Sequence, residues 1–274
     1  MREKPIGVFD SGLGGASVLR EALDILPTEN YIYYGDNKNA PYGDKTEAEI
    51  TTLTFQGANE LVSHGVKAIL LACNTATATC IFQIRQQLNI PVISIEPAIK
   101  PACEHPGSGK VLMMATLATT RLERYTNLQN RMPDPSRVIN VPCPGLVDRI
   151  EQGVFADDAF DDLLDGYIGK YAGQQIDGIV LGCTHYVFIK GAIRRYAERN
   201  FTGEHLIYDG NRGTVKQLGR VLEARDIINR NGHCDVDFLT SGDEKKYAPL
   251  FEQLVYGDSF KQQHGDVLGS CCRG

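Results

Sequence analysis

At 274 residues the chain is long enough for one large domain or two smaller ones, and 42% hydrophobic with 23% charged residues is the make-up of a folded α/β protein, which excludes a disordered or fibrous chain. A net charge of −6 argues against a nucleic-acid surface, which is normally basic, and leaves open a small anionic ligand held by a local cluster of donors. No run approaches the ~18 apolar residues of a membrane span; the opening MREKPIGVFDSG is not expected to be a signal peptide, and eight scattered cysteines with no paired CxxC spacing read as free thiols of a reducing cytoplasm.

In chain order, residues 5–10 (PIGVFD) read as a first strand, followed by the glycine-rich turn SGLGG and a helix from residue 16. A second strand over residues 31–34 ends in GDNKNAPYGD, a loop by its Gly, Asn and Pro content. A long amphipathic helix, roughly 46–64, leads to the buried run AILLA, closed by Cys73-Asn74-Thr75. A helix over about 76–88 then delivers the chain to a strand at 91–95. Short apolar runs closed by small and hydroxylated residues are the pattern of central parallel strands, so the alternation predicts an open parallel sheet.

Three prolines between residues 97 and 106 mark a crossing, after which the alternation restarts. It runs through a strand at 110–115, a helix over about 119–129, a strand at 137–141 and helical stretches flanking Gly153. The run GIVLG follows, closed by Cys183-Thr184-His185, with a helix after it. The last elements are a strand at 205–208, a helix over about 212–224, a strand at 235–240 and a helix at 244–256. The tail from residue 258, with Cys271 and Cys272, is polar and Gly-rich and is expected to be loose.

Cys73 lies 63 residues after Asp10, and Cys183 lies 67 residues after Thr116. Both halves therefore read strand, polar turn, strand and cysteine, which predicts two similar α/β lobes with a site in the cleft between them. The expected division is residues 1–97 with 208–274 as a discontinuous first lobe and 98–207 as the second. A single strand-end cysteine is ordinarily core. Two in matching settings, at the carboxyl ends of strands where α/β ligand sites form, point instead to an acid/base group on either side of a substrate.

The other candidates each carry a plainer reading. Asp10 is a turn or N-cap residue, or a catalytic carboxylate. The turn from Ser11 to Gly15 could hold an anion on its N–H groups, but it is neither a full GxGxxG nor a P-loop. Pro41-Tyr42-Gly43 is a turn that also brings a hydroxyl. Thr116 and Thr119 are helix caps or anion ligands, and His185 is a structural histidine or a proton partner for a thiol. A zinc site from Cys73, Cys183 and His185 lacks ligand spacing.

Together, GVFDSGLGG (7–15), APYG (40–43), ACNTATA (72–78), SIEPA (94–98) and LGCTHY (181–186) resemble the glutamate racemases of the aspartate/glutamate racemase family, over about residues 6–243. The resemblance departs locally at Val187, where the family usually has proline, and at the NKN before Ala40. It implies two flavodoxin-like lobes with parallel-sheet cores related by quasi-two-fold symmetry, and cofactor-independent interconversion of L- and D-glutamate for peptidoglycan synthesis. It further implies that Cys73 deprotonates D-glutamate and Cys183 L-glutamate, with Asp10 and His185 beside them. Ser11, Pro41, Tyr42, Gly43, Asn74, Thr75, Thr119 and Thr184 are implied as substrate contacts, with Asp10 and His185 among them and Glu151 as a further acidic helper. No cofactor or metal, a homodimer, and a cytoplasmic enzyme with a small-molecule substrate complete the expectation. A racemase of aspartate or another amino acid, or a non-catalytic two-lobed module binding an acidic amino acid, are the alternatives.

Overall fold

Strands that end at a polar turn and pass into a helix recur along the chain, and the computed structural model describes residues 1–257. The segment from residue 258, with Cys271 and Cys272, lies outside the described residues.

The first sheet is built from β1 (Ile6–Asp10), β2 (Tyr31–Gly35), β3 (Ala68–Leu71), β4 (Val92–Ser94) and β9 (Val236–Thr240), in the order β4-β3-β1-β2-β9. The second holds β5 (Lys110–Ala115), β6 (Val138–Pro142), β7 (Ile176–Leu181) and β8 (Leu206–Asp209), in the order β6-β5-β7-β8. Every pairing is parallel. Four strands of each sheet share the flavodoxin-like order 2-1-3-4, so β1, β2, β3 and β4 correspond to β5, β6, β7 and β8. The fifth strand, β9, sits on the β2 edge of the first sheet and has no counterpart.

Side-chain alternation explains why the central strands are apolar throughout. In β1 and β3, Val8 and Leu70 pack on one face while Phe9 and Leu71 pack on the other. In the second sheet Leu112, Met114 and Ile179 face one layer and Met113 and Val180 the opposite one. Both faces of each sheet are thus covered by helices, as parallel sheets require.

The first sheet is flanked by α1 (Ala16–Ile25), α2 (Glu47–Ser63), α3 (Asn74–Gln87), α10 (Asn211–Ala224) and α11 (Glu244–Tyr256). Val215, Leu218 and Leu222 of α10 and Phe251, Leu254 and Val255 of α11 join the cluster around Val8 and Leu70. The chain therefore returns to the first sheet after β8. α2 starts at a capping box in which Thr46 and Glu49 each accept from the other's backbone N–H.

Four local features differ from the sequence reading. The proline-rich crossing contains a short helix, α4 (Ile99–Glu104). The helix expected over 119–129 is broken at Leu122 into α5 (Leu117–Arg121) and α6 (Glu123–Gln129). α3 starts at Asn74, directly after Cys73. The helix after Cys183 is preceded by a 3-10 segment over Thr184–Ile189, which hands over to α9 (Lys190–Asn200). The last two put each thiol immediately before a helical turn. The helices flanking Gly153 are α7 (Leu146–Glu151) and α8 (Asp161–Ile168). No helix among the described residues is long and apolar enough to cross a membrane.

Candidate active site

The carboxyl ends of β1 and β3 meet those of β5 and β7 across the cleft between the sheets. One cavity there is lined by Ser11 after β1, Pro41, Tyr42 and Gly43 of the loop after β2, and Cys73, Asn74 and Thr75 at the start of α3. From the second sheet come Thr116, Val147, Cys183, Thr184 and His185. Its free volume is about 10 Å³, room for about one water molecule. Asp10 stands behind this lining, fully buried. Thr119 joins through a ring of hydroxyls, 3.2 Å from Thr75 Oγ1 and 2.9 Å from Thr116 Oγ1. Thr116 also accepts from the Thr119 N–H, so the plain capping reading of this pair holds as well.

Cys73 is the N-cap of α3, and the Ala76 N–H points at its sulfur from 3.5 Å. A helix N-terminus favours a thiolate, and the Ser11 hydroxyl 3.3 Å away does so too. Burial and then the nearby Asp10 carboxylate outweigh both, and the thiol is pushed up to about 12. Asp10 itself accepts from the Gly12 N–H at 2.9 Å and from Thr184 Oγ1 at 3.2 Å. Burial raises its pKa in spite of the opposing charge of His185.

Around Cys183 the partners are different. His185 Nδ1 lies 3.7 Å from its sulfur, and His185 Nε2 lies 2.7 Å from Glu151 Oε1. Burial would hold this imidazole neutral, but its hydrogen bonds to Cys183 and Glu151 prevail and its pKa stands well above the ordinary value. Glu151 is likewise pushed up by burial and pulled down further by His185, the Leu13 N–H and Asn37, ending below the usual carboxylate range. The two form an ion pair at the end of α7, behind the second sulfur, with His185 buried and Glu151 half-buried.

The glycine-rich turn has a structural explanation. A Cβ on Gly12 would stand 2.3 Å from Glu151 Oε1, and one on Gly14 would stand 2.3 Å from His185 Nδ1. Side chains of the second sheet's loops thus press onto the bare backbone of the first. The anion that this turn holds is the carboxylate of Glu151, which accepts from the Leu13 N–H at 2.7 Å. Ser17 of α1 adds a bond to the Thr184 carbonyl at 3.0 Å.

Two polar groups are notable for what they do. Both side-chain amide atoms of Asn74, a buried residue lining the cavity, lack a hydrogen-bond partner among the described residues. An unpaired buried amide is rare in a folded protein and fits a group kept for a ligand. The Tyr42 hydroxyl, by contrast, is already engaged, donating to Asp36 Oδ2 at 2.6 Å. What this stretch leaves open is backbone, since the first N–H groups of the helical turn over Tyr42–Asp44 have no partner within it.

The cavity therefore brings together the residues singled out in the sequence, with Asp10, Thr119 and Glu151 directly behind its wall. Val147, Asp36 and Asn37 were not singled out. Asp36 follows β2 as Asp10 ends β1, at adjacent strand ends, and that position is the signal that marks it. Among the described residues no group of three His, Cys, Asp or Glu side chains could hold a metal ion.

Residues 7–218 match the family model of Asp/Glu/hydantoin racemases. The chain is 43% identical to a glutamate racemase of Clostridium perfringens over 93% of its own length and 97% of that protein's. It is 41% identical to one of Clostridium botulinum over 93% and 98%. Its structure is similar to that of Francisella tularensis glutamate racemase in complex with D-glutamate, with a TM-score of 0.80 and 28% identity over 93% of this chain and 94% of that one. It is also similar to that of Thermus thermophilus glutamate racemase in complex with beta-chloro-D-alanine, with a TM-score of 0.78 and 32% identity over 93% and 94%.

Proposed function

The chain belongs to the Asp/Glu/hydantoin racemase family, and we propose that it inverts glutamate by passing a proton across Cα between two cysteines, Cys73 and Cys183. It is an amino-acid racemase, and glutamate is the substrate in the names of its 40–43% identical relatives. The observation that carries the two-base reading is the pairing itself. Two thiols close equivalent strands, face one cavity and have unlike electrostatic partners.

In the L-to-D direction Cys183, as thiolate, removes the α-proton, and the Cys73 thiol delivers its own proton to the opposite face. The enzyme is left with the proton on Cys183 and the charge on Cys73, and the D-to-L direction is the reverse. His185, held protonated by Glu151, faces Cys183 and donates to the charged sulfur. At Cys73 burial and Asp10 favour the thiol, so this side rests as the acid and makes a strong base once it has given up its proton.

The α-proton is a far weaker acid than a thiol, so the carbanion needs stabilisation from the site. The unpaired Asn74 amide and the N–H groups opening α3 are aimed at where negative charge develops on the α-carboxylate. The Thr75–Thr116–Thr119 hydroxyls and the backbone of Tyr42 and Gly43 supply donors for the second carboxylate. A cavity of about 10 Å³ admits no amino acid, so the lobes part to load substrate and close to expel water.

This reading includes a reaction without cofactor, D-glutamate destined for peptidoglycan, a cytoplasmic location and a homodimer, all as the family resemblance implies. It also includes a division into two units, residues 1–97 with 208–274 and residues 98–207.

Incubation of L- and D-glutamate separately in D2O tests the reaction. Deuterium in the newly formed enantiomer, with little in recovered substrate at early times, is expected of two distinct bases. Equal early labelling of substrate and product would overturn the two-base scheme, and no inversion of either enantiomer would overturn glutamate as substrate.

A further inference from the structure

The loop after β2 carries a buried carboxylate that this chemistry leaves unused. Asp36 is 3% exposed, and its backbone N–H donates to the Asp10 carbonyl at 3.0 Å, which places it beside the catalytic end of β1. Its side chain accepts four hydrogen bonds from neutral groups. Tyr42 Oη donates at 2.6 Å, Asn39 Nδ2 reaches both oxygens at 2.9 and 3.2 Å, and Ser241 Oγ donates at 2.5 Å. A carboxylate taken out of water is costly unless its lone pairs are used. Here they are used to gather three segments onto one point.

Two of those segments bracket the Pro41–Gly43 stretch, from Asn39 on one side to Tyr42 within it. The third, Ser241, follows β9, the strand without a counterpart in the second lobe. The loop so gathered presses on the opposite lobe, since a Cβ on Gly43 would lie 3.0 Å from Thr116 Cβ. Tyr42 is itself buried, tilted against Phe9 at 6.5 Å between ring centres. The Tyr42–Gly43 backbone is thus held by the packing of the Tyr42 ring and by one hydroxyl bonded to Asp36.

We infer that Asp36 is a positioning residue for substrate affinity: by accepting the hydrogen bond of the Tyr42 hydroxyl it holds the Tyr42–Gly43 N–H groups where a substrate carboxylate meets them, without touching substrate itself. This rests on the racemase reading above. It also assigns β9 a role in the reaction, as the element that brings Ser241 to Asp36.

The test is steady-state racemisation of L- and D-glutamate by wild type, Asp36→Asn, Tyr42→Phe and the double variant, each with its melting temperature. With one charge-assisted bond weakened, KM is expected to rise on the order of tenfold for both enantiomers while kcat changes by less than about threefold. The double variant is expected to be no worse than the worse single variant, because both remove the same contact. An unmoved KM in Asp36→Asn, or effects that multiply in the double variant, would overturn the role of Asp36 alone. Should Asp36→Asn not fold, Tyr42→Phe decides: a raised KM with kcat kept supports the inference, and an unmoved KM overturns it. A wild type that does not invert glutamate would instead sink the reaction on which the inference rests.

Discussion

Cys73 and Cys183 close corresponding strands, β3 and β7, of two sheets with the same strand order, yet their surroundings are opposites. The Cys73 side has a helix N-terminus and a serine hydroxyl that favour charge, overruled by burial and a carboxylate. The Cys183 side has a buried histidine held cationic by a half-buried glutamate. Shared topology places both sulfurs at one cavity; burial and Asp10 hold the Cys73 thiol protonated, whereas a cationic His185 stands beside Cys183. A two-base racemase needs both conditions, because one sulfur must start as acid and the other as base.

The bluntest way to break the comparison is to remove either sulfur. Cys73→Ser and Cys183→Ser are each expected to lower kcat for glutamate inversion on the order of a thousandfold or more, with near-native melting, since serine is close in shape and a far weaker acid. A Cys73→Ser variant that still turned over at a tenth of the wild-type rate would end the symmetrical scheme.

Glu151→Gln probes the second side by taking away the carboxylate that helps hold His185 protonated. The pKa of His185 then falls, the imidazolium is lost at a lower pH, and the alkaline limb of the pH–rate profile moves to lower pH. The rate itself is expected to drop roughly 10- to 100-fold. Stability follows the same pair. The raised pKa of His185 gives a contribution that is complete below about 6.5 and lost as pH rises through the folded value. The lowered pKa of Glu151 gives one that is complete above about 4.3 and lost as pH falls. Melting temperatures of wild type and Glu151→Gln should therefore differ most between about pH 4.5 and 6.5 and converge on either side.

The smallest effect sharpens the first side. Asp10→Asn removes the carboxylate behind Cys73, so the thiol pKa should fall from about 12, and alkylation of Cys73, followed by peptide mass, should set in at a pH lower by about one. Because burial raises the pKa of Asp10, the folded state disfavours its charge above that pKa, and Asp10→Asn should melt slightly higher at neutral pH even as turnover falls. An unchanged alkylation profile would show that burial alone holds the Cys73 thiol protonated.

Much of this was legible in the residues. AILLA and GIVLG announced central parallel strands because a strand buried on both faces has no polar positions to alternate. The repeated Cys-polar-polar ends and their similar spacing from Asp10 and Thr116 marked the cavity. The glycine-rich turn was legible as a special backbone, but its reason was not. Gly12 and Gly14 are required by Glu151 and His185, which lie well over a hundred residues away and arrive only when the second lobe docks. The Tyr42 hydroxyl read as a ligand group and is spent on Asp36, a partner that local spacing does not single out.

By itself, then, the sequence determined the kind of strand, the two thiols and their place at strand ends, because these follow from hydrophobic period and local turn chemistry. Only the tertiary structure decided which groups face which sulfur, that β9 pairs with β2 at the edge of the first sheet, and that Asp36 and Glu151 are committed to Tyr42 and His185. Those outcomes depend on contacts between segments distant in the chain and on how burial weighs each charge, and neither quantity exists until the two lobes close on each other.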